Sequence, residues 1–256
     1  MRFLEPFCIA LTTYSVLPAP QVTWNERNMC ISICYLPLIG VIAGAVQWLW
    51  FWLCQALQAG PVLFAAVAAV LPVLITGGIH MDGYLDTVDA ISSHQTKERK
   101  LEILKDSHCG AFAIIYAGVY FLLLFGFFSQ IFSWRPAAIV ACGYVLSRSL
   151  AVILAATTPN ARKNGMLAAF TGALAKKVAL LIMIVLTLAV TAGMVCISLW
   201  TGLICAAVAG VWLLLYRRLA MGLFGGATGD TTGFFIQVCE LLLCISASLC
   251  SLAFPC

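Results

Sequence analysis

Seven apolar stretches, at roughly 31–57, 61–79, 109–132, 136–157, 178–199, 201–216 and 234–254, set the terms on which this chain can fold. Each is close to the roughly 20 residues that a helix needs to cross a bilayer. Backbone polar groups in lipid must be satisfied within the segment, which leaves helices as the economical solution. Charged residues make up only 9% of the chain, against about 25% in ordinary soluble domains. The expected fold is therefore all-α: a polytopic integral membrane helical bundle of about seven transmembrane helices. The fifth and sixth stretches abut at Trp200–Thr201 as a tight hairpin or one broken element, so the count runs from six to eight. Residues 1–256 read as a single domain, without linker, heptad run or repeat. Residues 1–30 form an interfacial N-terminal segment, its first helix ended by Pro18 and Pro20. The first strong apolar run begins near position 31 and is too long for a secretory leader.

Twelve of the fourteen basic residues fall in alternate loops: Arg2 and Arg27, then Lys97, Arg99, Lys100 and Lys105, then Arg162, Lys163, Lys176 and Lys177, then Arg217 and Arg218. The positive-inside rule places that side, and the N-terminus, in the cytoplasm; seven spans put the C-terminus outside. The expected location is the cytoplasmic (inner) membrane, with the polar motifs facing the cytoplasm. The net charge of +4 is topological and implies no nucleic acid partner. Twelve cysteines contain no C-x-x-C pair, and most sit in spans as small hydrophobes.

Scarce polar residues crowd into one place. Six of the ten acidic residues, Asp82, Asp86, Asp89, Glu98, Glu102 and Asp106, and all three histidines, His80, His94 and His108, lie between 80 and 110. Asp82, Asp86 and Asp89 share a helical face, and Glu98, Glu102 and Asp106 share another. The spacing predicts a cytoplasmic acidic helical hairpin whose two acidic faces are turned towards each other. No basic residue lies between 72 and 96 to pair with the first three aspartates. Hard oxygen ligands beside water suit Mg²⁺, which takes one or two carboxylates plus substrate phosphates.

Two further clusters stand out. Gly225-Gly226-Ala227-Thr228-Gly229-Asp230 precedes the last span and Glu240 lies inside it; a glycine-rich loop leading into a helix N-terminus can approach a phosphate. Arg148 lies within the fourth span, where an arginine needs a carboxylate, a phosphate or a water-filled cavity. Glu240 and Asp230 are its candidate ion-pair partners.

Taken together these segments resemble cobalamin synthase, the adenosylcobinamide-GDP ribazoletransferase family. The resemblance rests on Leu17-Pro18-Ala19-Pro20, Pro37-Leu38-Ile39-Gly40 and Thr76-Gly77-Gly78-Ile79-His80-Met81-Asp82-Gly83 with Asp86-Thr87 and Asp89. Glu98-Arg99, Leu101 to Ser107, Gly110, Ser147-Arg148, and Gly225 to Asp230 with Glu240 continue it. Val16, His108 and Ala90 depart from the family pattern of Arg, Arg and Gly, which puts secondary phosphate contacts in doubt.

The resemblance implies transfer of the adenosylcobinamide phosphoryl group from adenosylcobinamide-GDP to the 3′-hydroxyl of α-ribazole, or its 5′-phosphate, with release of GMP. It implies Mg²⁺ on Asp82, Asp86, Asp89 and Asp106, with His80 or Glu102 as general base. Gly77, Gly78, Arg99, Lys105, Arg148, Thr228, Gly229, Asp230 and Glu240 would then bind substrate or phosphate. Trp24, Tyr84, Phe112 and Tyr116 are candidates to line the corrin ring. A homo-oligomer and association with other corrinoid-assembly enzymes stay open. The CDP-alcohol phosphotransferases are the nearest rival, but Asp82-Gly83 lacks their following Ala-Arg. A cation-coupled transporter would want carboxylates near the midplane on paired broken helices.

Overall fold

The computed structural model describes residues 4–106, 108–162 and 176–253; Arg2, Ser107 and Lys163 lie outside them. Two short helices, α1 (Leu4–Tyr14) and α2 (Glu26–Ser32), precede the bundle, and Asn25 caps α2 through the Asn28 N–H. They are followed by α3 (Leu36–Ala56), α4 (Pro61–Thr76), α5 (Ile79–Ser92), α6 (Lys97–Ile103), α7 (Ala111–Phe128) and α8 (Trp134–Thr157). The last three are α9 (Lys176–Ile197), α10 (Leu199–Phe224) and α11 (Gly229–Ala253). Among the described residues, strand-like pairing is limited to an isolated parallel bridge between Asn160 and Ala227. The all-α membrane bundle expected from the apolar runs is what forms.

Six described helices are long and apolar enough to cross a membrane, and a bent pair, α4 with α5, makes seven. At 16 residues α4 would rise about 24 Å, short of the roughly 30 Å hydrocarbon layer. It stops at Gly77 and Gly78, whose φ angles of 63° and 80° suit glycine and few other residues. The Gly78 N–H returns to Val73 O at 3.0 Å and closes the helix. Beyond that turn α5 leaves at 97°. It does not prolong α4 but turns to pack on α11 and α7.

The hydrophobic centre is α8, packed on α3, α9 and α11. Gly40 and Gly44 let α3 touch α8 backbone to backbone: a Cβ on either would come within 2.5 Å of the Tyr144 or Ala141 carbonyl oxygen. Small residues four apart are the usual means of close helix approach in lipid. The fifth and sixth apolar stretches resolve as separate helices broken at Ser198 and packed on each other. Two boundaries differ from expectation. Helix α10 runs on to Phe224, so Arg217 and Arg218 lie on its last turns and not in a loop. Helix α11 begins at Gly229, five residues before the apolar run, which takes Asp230 into its first turn.

The paired acidic hairpin is not how α5 and α6 meet. Helix α5 is buried on α11 and α7, while Glu98, Glu102 and Asp106 on and after α6 are exposed to solvent. The reason is that α5 carries a second, apolar face (Met81, Tyr84, Val88) that competes successfully for the bundle.

Candidate functional site

The approach of α5 to α11 builds the site. A Cβ on Gly83 would lie 2.6 Å from the Asp230 carbonyl oxygen, so that contact exists only with glycine at 83. It brings the aspartates at the start of α5 beside the first turn of α11. That turn is locked by Thr228 and Thr231, whose backbone N–H groups donate to each other's hydroxyls at 2.9 and 3.1 Å, in the manner of a capping box.

The glycine-rich loop is strapped to the segment after α8. Ala161 N–H donates to Ala227 O at 2.9 Å, and Ala227 N–H to Pro159 O at 2.8 Å. A Cβ on Gly226 would sit 2.3 Å from Pro159 O. The strap carries Asn160 and Arg162 to the mouth of α11. Arg162 Nη2 donates to Leu101 O at 2.8 Å, and Nη1 stands 3.7 Å from Asp230 Oδ2.

These elements enclose a cavity of about 570 Å³. His80 and Asp82 from α5, Lys105 beyond α6, Asn160 and Arg162 after α8, and Thr228, Gly229 and Asp230 opening α11 form its polar wall. Tyr14 of α1 completes it, its ring stacked on His80 at 6.3 Å between centroids. Of the expected residues, then, His80, Asp82, Lys105, Thr228, Gly229 and Asp230 converge. Arg162, Asn160 and Tyr14 are wall residues that sequence reasoning did not single out; the first was read only as a topological charge.

His80 is 5% exposed, and neither ring nitrogen has a hydrogen-bond partner. Burial, with a smaller push from the Arg148 charge, holds its pKa well below the usual imidazole value, so the ring is neutral. Asp86 is half-buried one turn beyond Asp82. Burial first, then repulsion from Asp82, Asp230 and Asp89, pushes its carboxyl up to about 7, with Arg162 opposing. Asp82, Asp86 and Asp230 together carry more negative charge than Arg162 offsets, and hard oxygen donors of this kind suit a divalent cation. Among the described residues no three His, Cys, Asp or Glu side chains converge into a complete ligand set. The donors fit a cation completed by substrate oxygens, as Mg²⁺ usually is, and not one caged by protein alone.

Other expected site residues lie elsewhere. Asp89 turns to the N-terminus of α7, where its two oxygens accept from Gly110 N–H at 2.6 Å and Ala113 N–H at 2.9 Å. Those amides are orphans of a helix start, and a carboxylate there is favoured twice, by hydrogen bonds and by the helix dipole. Asp106 is exposed and bonded to His108, whose ring and backbone N–H hold its pKa below the ordinary value. Glu102 and Arg99 pair with each other in solvent at 2.6 Å. Gly77 and Gly78 shape the α4–α5 turn. Arg148 and Glu240 form an ion pair sealed in the core, supported by Ser147 Oγ on Glu240 at 3.1 Å and by Arg148 Nη1 on Tyr144 O at 2.9 Å. Tyr84 is core, stacked on Phe234, whereas Trp24, Phe112 and Tyr116 are exposed.

Comparison with known proteins places this geometry in context. Residues 6–248 match a family model described as cobalamin-5-phosphate synthase. The chain is 42% identical over 242 residues to the adenosylcobinamide-GDP ribazoletransferase of Lachnoclostridium phytofermentans, covering 94% of this chain and 92% of that one. It is 35% identical over 258 residues to the protein of the same name from Desulfitobacterium hafniense, covering 96% and 98%. No solved structure matches it.

Proposed function

The chain belongs to the cobalamin-5-phosphate synthase family, and on that premise we propose that it joins adenosylcobinamide-GDP to α-ribazole, or its 5′-phosphate, and releases GMP. It is a multi-pass membrane transferase of cobalamin biosynthesis. The observation that carries the finer reading is the single cavity in which His80, Asp82, Lys105 and the Thr228–Asp230 turn meet from three distant segments. Its volume suits a diphosphate and one nucleoside, which leaves the larger corrin ring at the mouth.

In this reaction the α-ribazole 3′-hydroxyl oxygen bonds to the phosphorus esterified to cobinamide. The bond from that phosphorus to the bridging oxygen breaks, and GMP leaves with the bridging oxygen. His80, neutral and with both ring nitrogens unpartnered, accepts the hydroxyl proton. Asp82 and Asp230, with Asp86 behind them, would hold Mg²⁺, which would supply positive charge to offset that of the phosphates and of the leaving nucleotide. Lys105 would supply a positive charge from the segment beyond α6. With the Thr231 and Thr232 N–H groups already bound to Thr228, the Gly229 and Asp230 N–H groups are those left to meet an anion at the start of α11. Lys105 and Arg162 line the cavity, and the basic residues Lys97 and Arg217 bond to Met221 O and Thr157 O at the same end of the bundle. By the positive-inside rule that end faces the cytoplasm.

Purified protein given Mg²⁺, adenosylcobinamide-GDP and α-ribazole 5′-phosphate should release GMP. Release of a cytidine nucleotide with a lipid acceptor, and no GMP, would move the protein to the CDP-alcohol class. Asp82→Asn should reduce turnover to background with an unchanged melting temperature. Wild-type turnover in that variant removes Asp82 from the site.

A further inference from the structure

We infer that Arg162 grips the diphosphate of the donor substrate, an assignment that rests on the transferase reading above. Four observations lead to it. Arg162 lines the cavity although its residue is remote in sequence from the acidic segment and the glycine-rich loop. Its guanidinium is fixed at one corner by the 2.8 Å bond to Leu101 O. Its Nε is buried and has no hydrogen-bond partner. Its contact with Asp230, at 3.7 Å, is an ion pair beyond hydrogen-bond reach.

A guanidinium so held has lost most of its rotational freedom while keeping donors to offer. A rigid fork of N–H groups beside a cavity matches the oxygens of a phosphate better than an ammonium does. The other intended phosphate binders do not compete. Arg148 is sealed against Glu240, and Arg99 is paired with Glu102 in solvent. Lys105 is the remaining basic residue in the wall, and a diphosphate diester carries a charge on each phosphorus. Arg162 and Lys105 would take one phosphate each. Until substrate arrives, Arg162 shields Asp230, which explains why these two stand close without bonding.

The strap makes this placement possible. Gly226 lets the backbone at Pro159–Ala161 lie against the glycine-rich loop, so the arginine two residues beyond Asn160 reaches the α11 N-terminus. The same loop therefore presents the helix start and aims the arginine.

The test is equilibrium binding of adenosylcobinamide-GDP to the purified full chain in nanodiscs, without acceptor, alongside KM for α-ribazole 5′-phosphate. Arg162→Gln should raise the donor Kd roughly 10- to 100-fold, the range for losing a hydrogen bond to a charged group. Arg162→Lys should raise it less, and the acceptor KM should stay within twofold in both. A merely structural arginine would weaken both substrates together and lower the melting temperature; that result, or a donor Kd unchanged in Arg162→Gln, overturns the assignment. Should Arg162→Gln fail to assemble, Arg162→Lys decides, with a several-fold donor-selective rise expected and an unchanged Kd refuting it. Wild-type protein that binds no donor would overturn the transferase reading and this assignment together, whereas wild-type binding with no effect at Arg162 overturns this assignment alone.

Discussion

Helix α11 meets two arginines, through carboxylates ten residues apart at Asp230 and Glu240, and the two meetings differ. Glu240 and Arg148 are sealed, at 5% and 0% side-chain exposure; Ser147 and the Tyr144 carbonyl add hydrogen bonds to the pair, while Arg148 Nε and Nη2 are buried without partners. Asp230 and Arg162 are 30% and 22% exposed, stand 3.7 Å apart, and open on the cavity. The same two charges thus do different work according to what surrounds them. In the sealed pair each ion is the other's solvation, because lipid and apolar side chains offer none. In the open pair water and substrate remain available to both, and the carboxylate belongs to a crowded cluster that one arginine does not neutralise. Burial, more than charge, separates scaffold from site in this bundle.

The largest effect should come from breaking the sealed pair. Glu240→Leu leaves a guanidinium buried and unpaired, which costs about 3–5 kcal/mol, read as a large drop in the detergent melting temperature or loss of folded protein. Replacing both, Arg148→Met with Glu240→Leu, should recover most of that stability, since apolar side chains of similar volume substitute well for a buried pair. A double variant as unstable as the single would show that Arg148 or Glu240 does more than balance charge. It would also bring the sealed pair closer to the open one in role.

How far the sequence reaches follows the same division. Long apolar runs announce spans because lipid leaves the backbone few alternatives, whereas the second run reads as one span to position 79 and only the structure shows the turn at Gly77-Gly78 that redirects the chain. The reach of α10 to Phe224 is hidden, since hydropathy falls at Arg217 while Arg-Arg-Leu-Ala-Met remains good helix. In the site, His80, Asp82 and the Thr228–Asp230 turn are legible because polar residues at the edge of apolar runs are costly and rare. Asp89 shows the limit: its spacing puts it on a face with Asp82 and Asp86, but spacing says nothing of the α7 start that takes both its oxygens. Arg162 was illegible for a related reason. A lone arginine in a loop looks like topology until the strap to Ala227 shows where it points. The glycines at 225 and 226 were the available signal, yet they suggested a phosphate approached by their own amides, not a neighbouring segment drawn in.

A second prediction sharpens the contrast through pH. In the open region Asp86 has a pKa of about 7 in the folded protein against an ordinary 3.8. Between those values the folded chain holds a proton that the unfolded chain has lost. The Asp86 contribution is therefore intact below about pH 4 and is lost as pH rises through about 7. Metal-free protein in EDTA should melt at progressively lower temperature from pH 5.5 to 8, and Asp86→Asn should flatten that slope. Added Mg²⁺ should stabilise more at pH 8, where the carboxylates are ionised, than at pH 6. A slope unchanged in Asp86→Asn would mean that the carboxylates are not crowded as the structure shows them.

The smallest effect should come from the open pair itself. Arg162→Gln removes an ion pair that is partly exposed and already at 3.7 Å, and pairs of that kind contribute about 0–1 kcal/mol. Its one fixed bond, to Leu101 O, ends a short helix on the surface and not a core element. The melting temperature should therefore barely move, against the large fall for Glu240→Leu, while donor binding weakens. That inverted pattern, scaffold loss at one arginine–carboxylate pair and ligand loss at the other, is what the difference in burial demands. A fall in Arg162→Gln as large as in Glu240→Leu would make the guanidinium a structural clamp between α6 and α11, and the two pairs would then differ in depth but not in role.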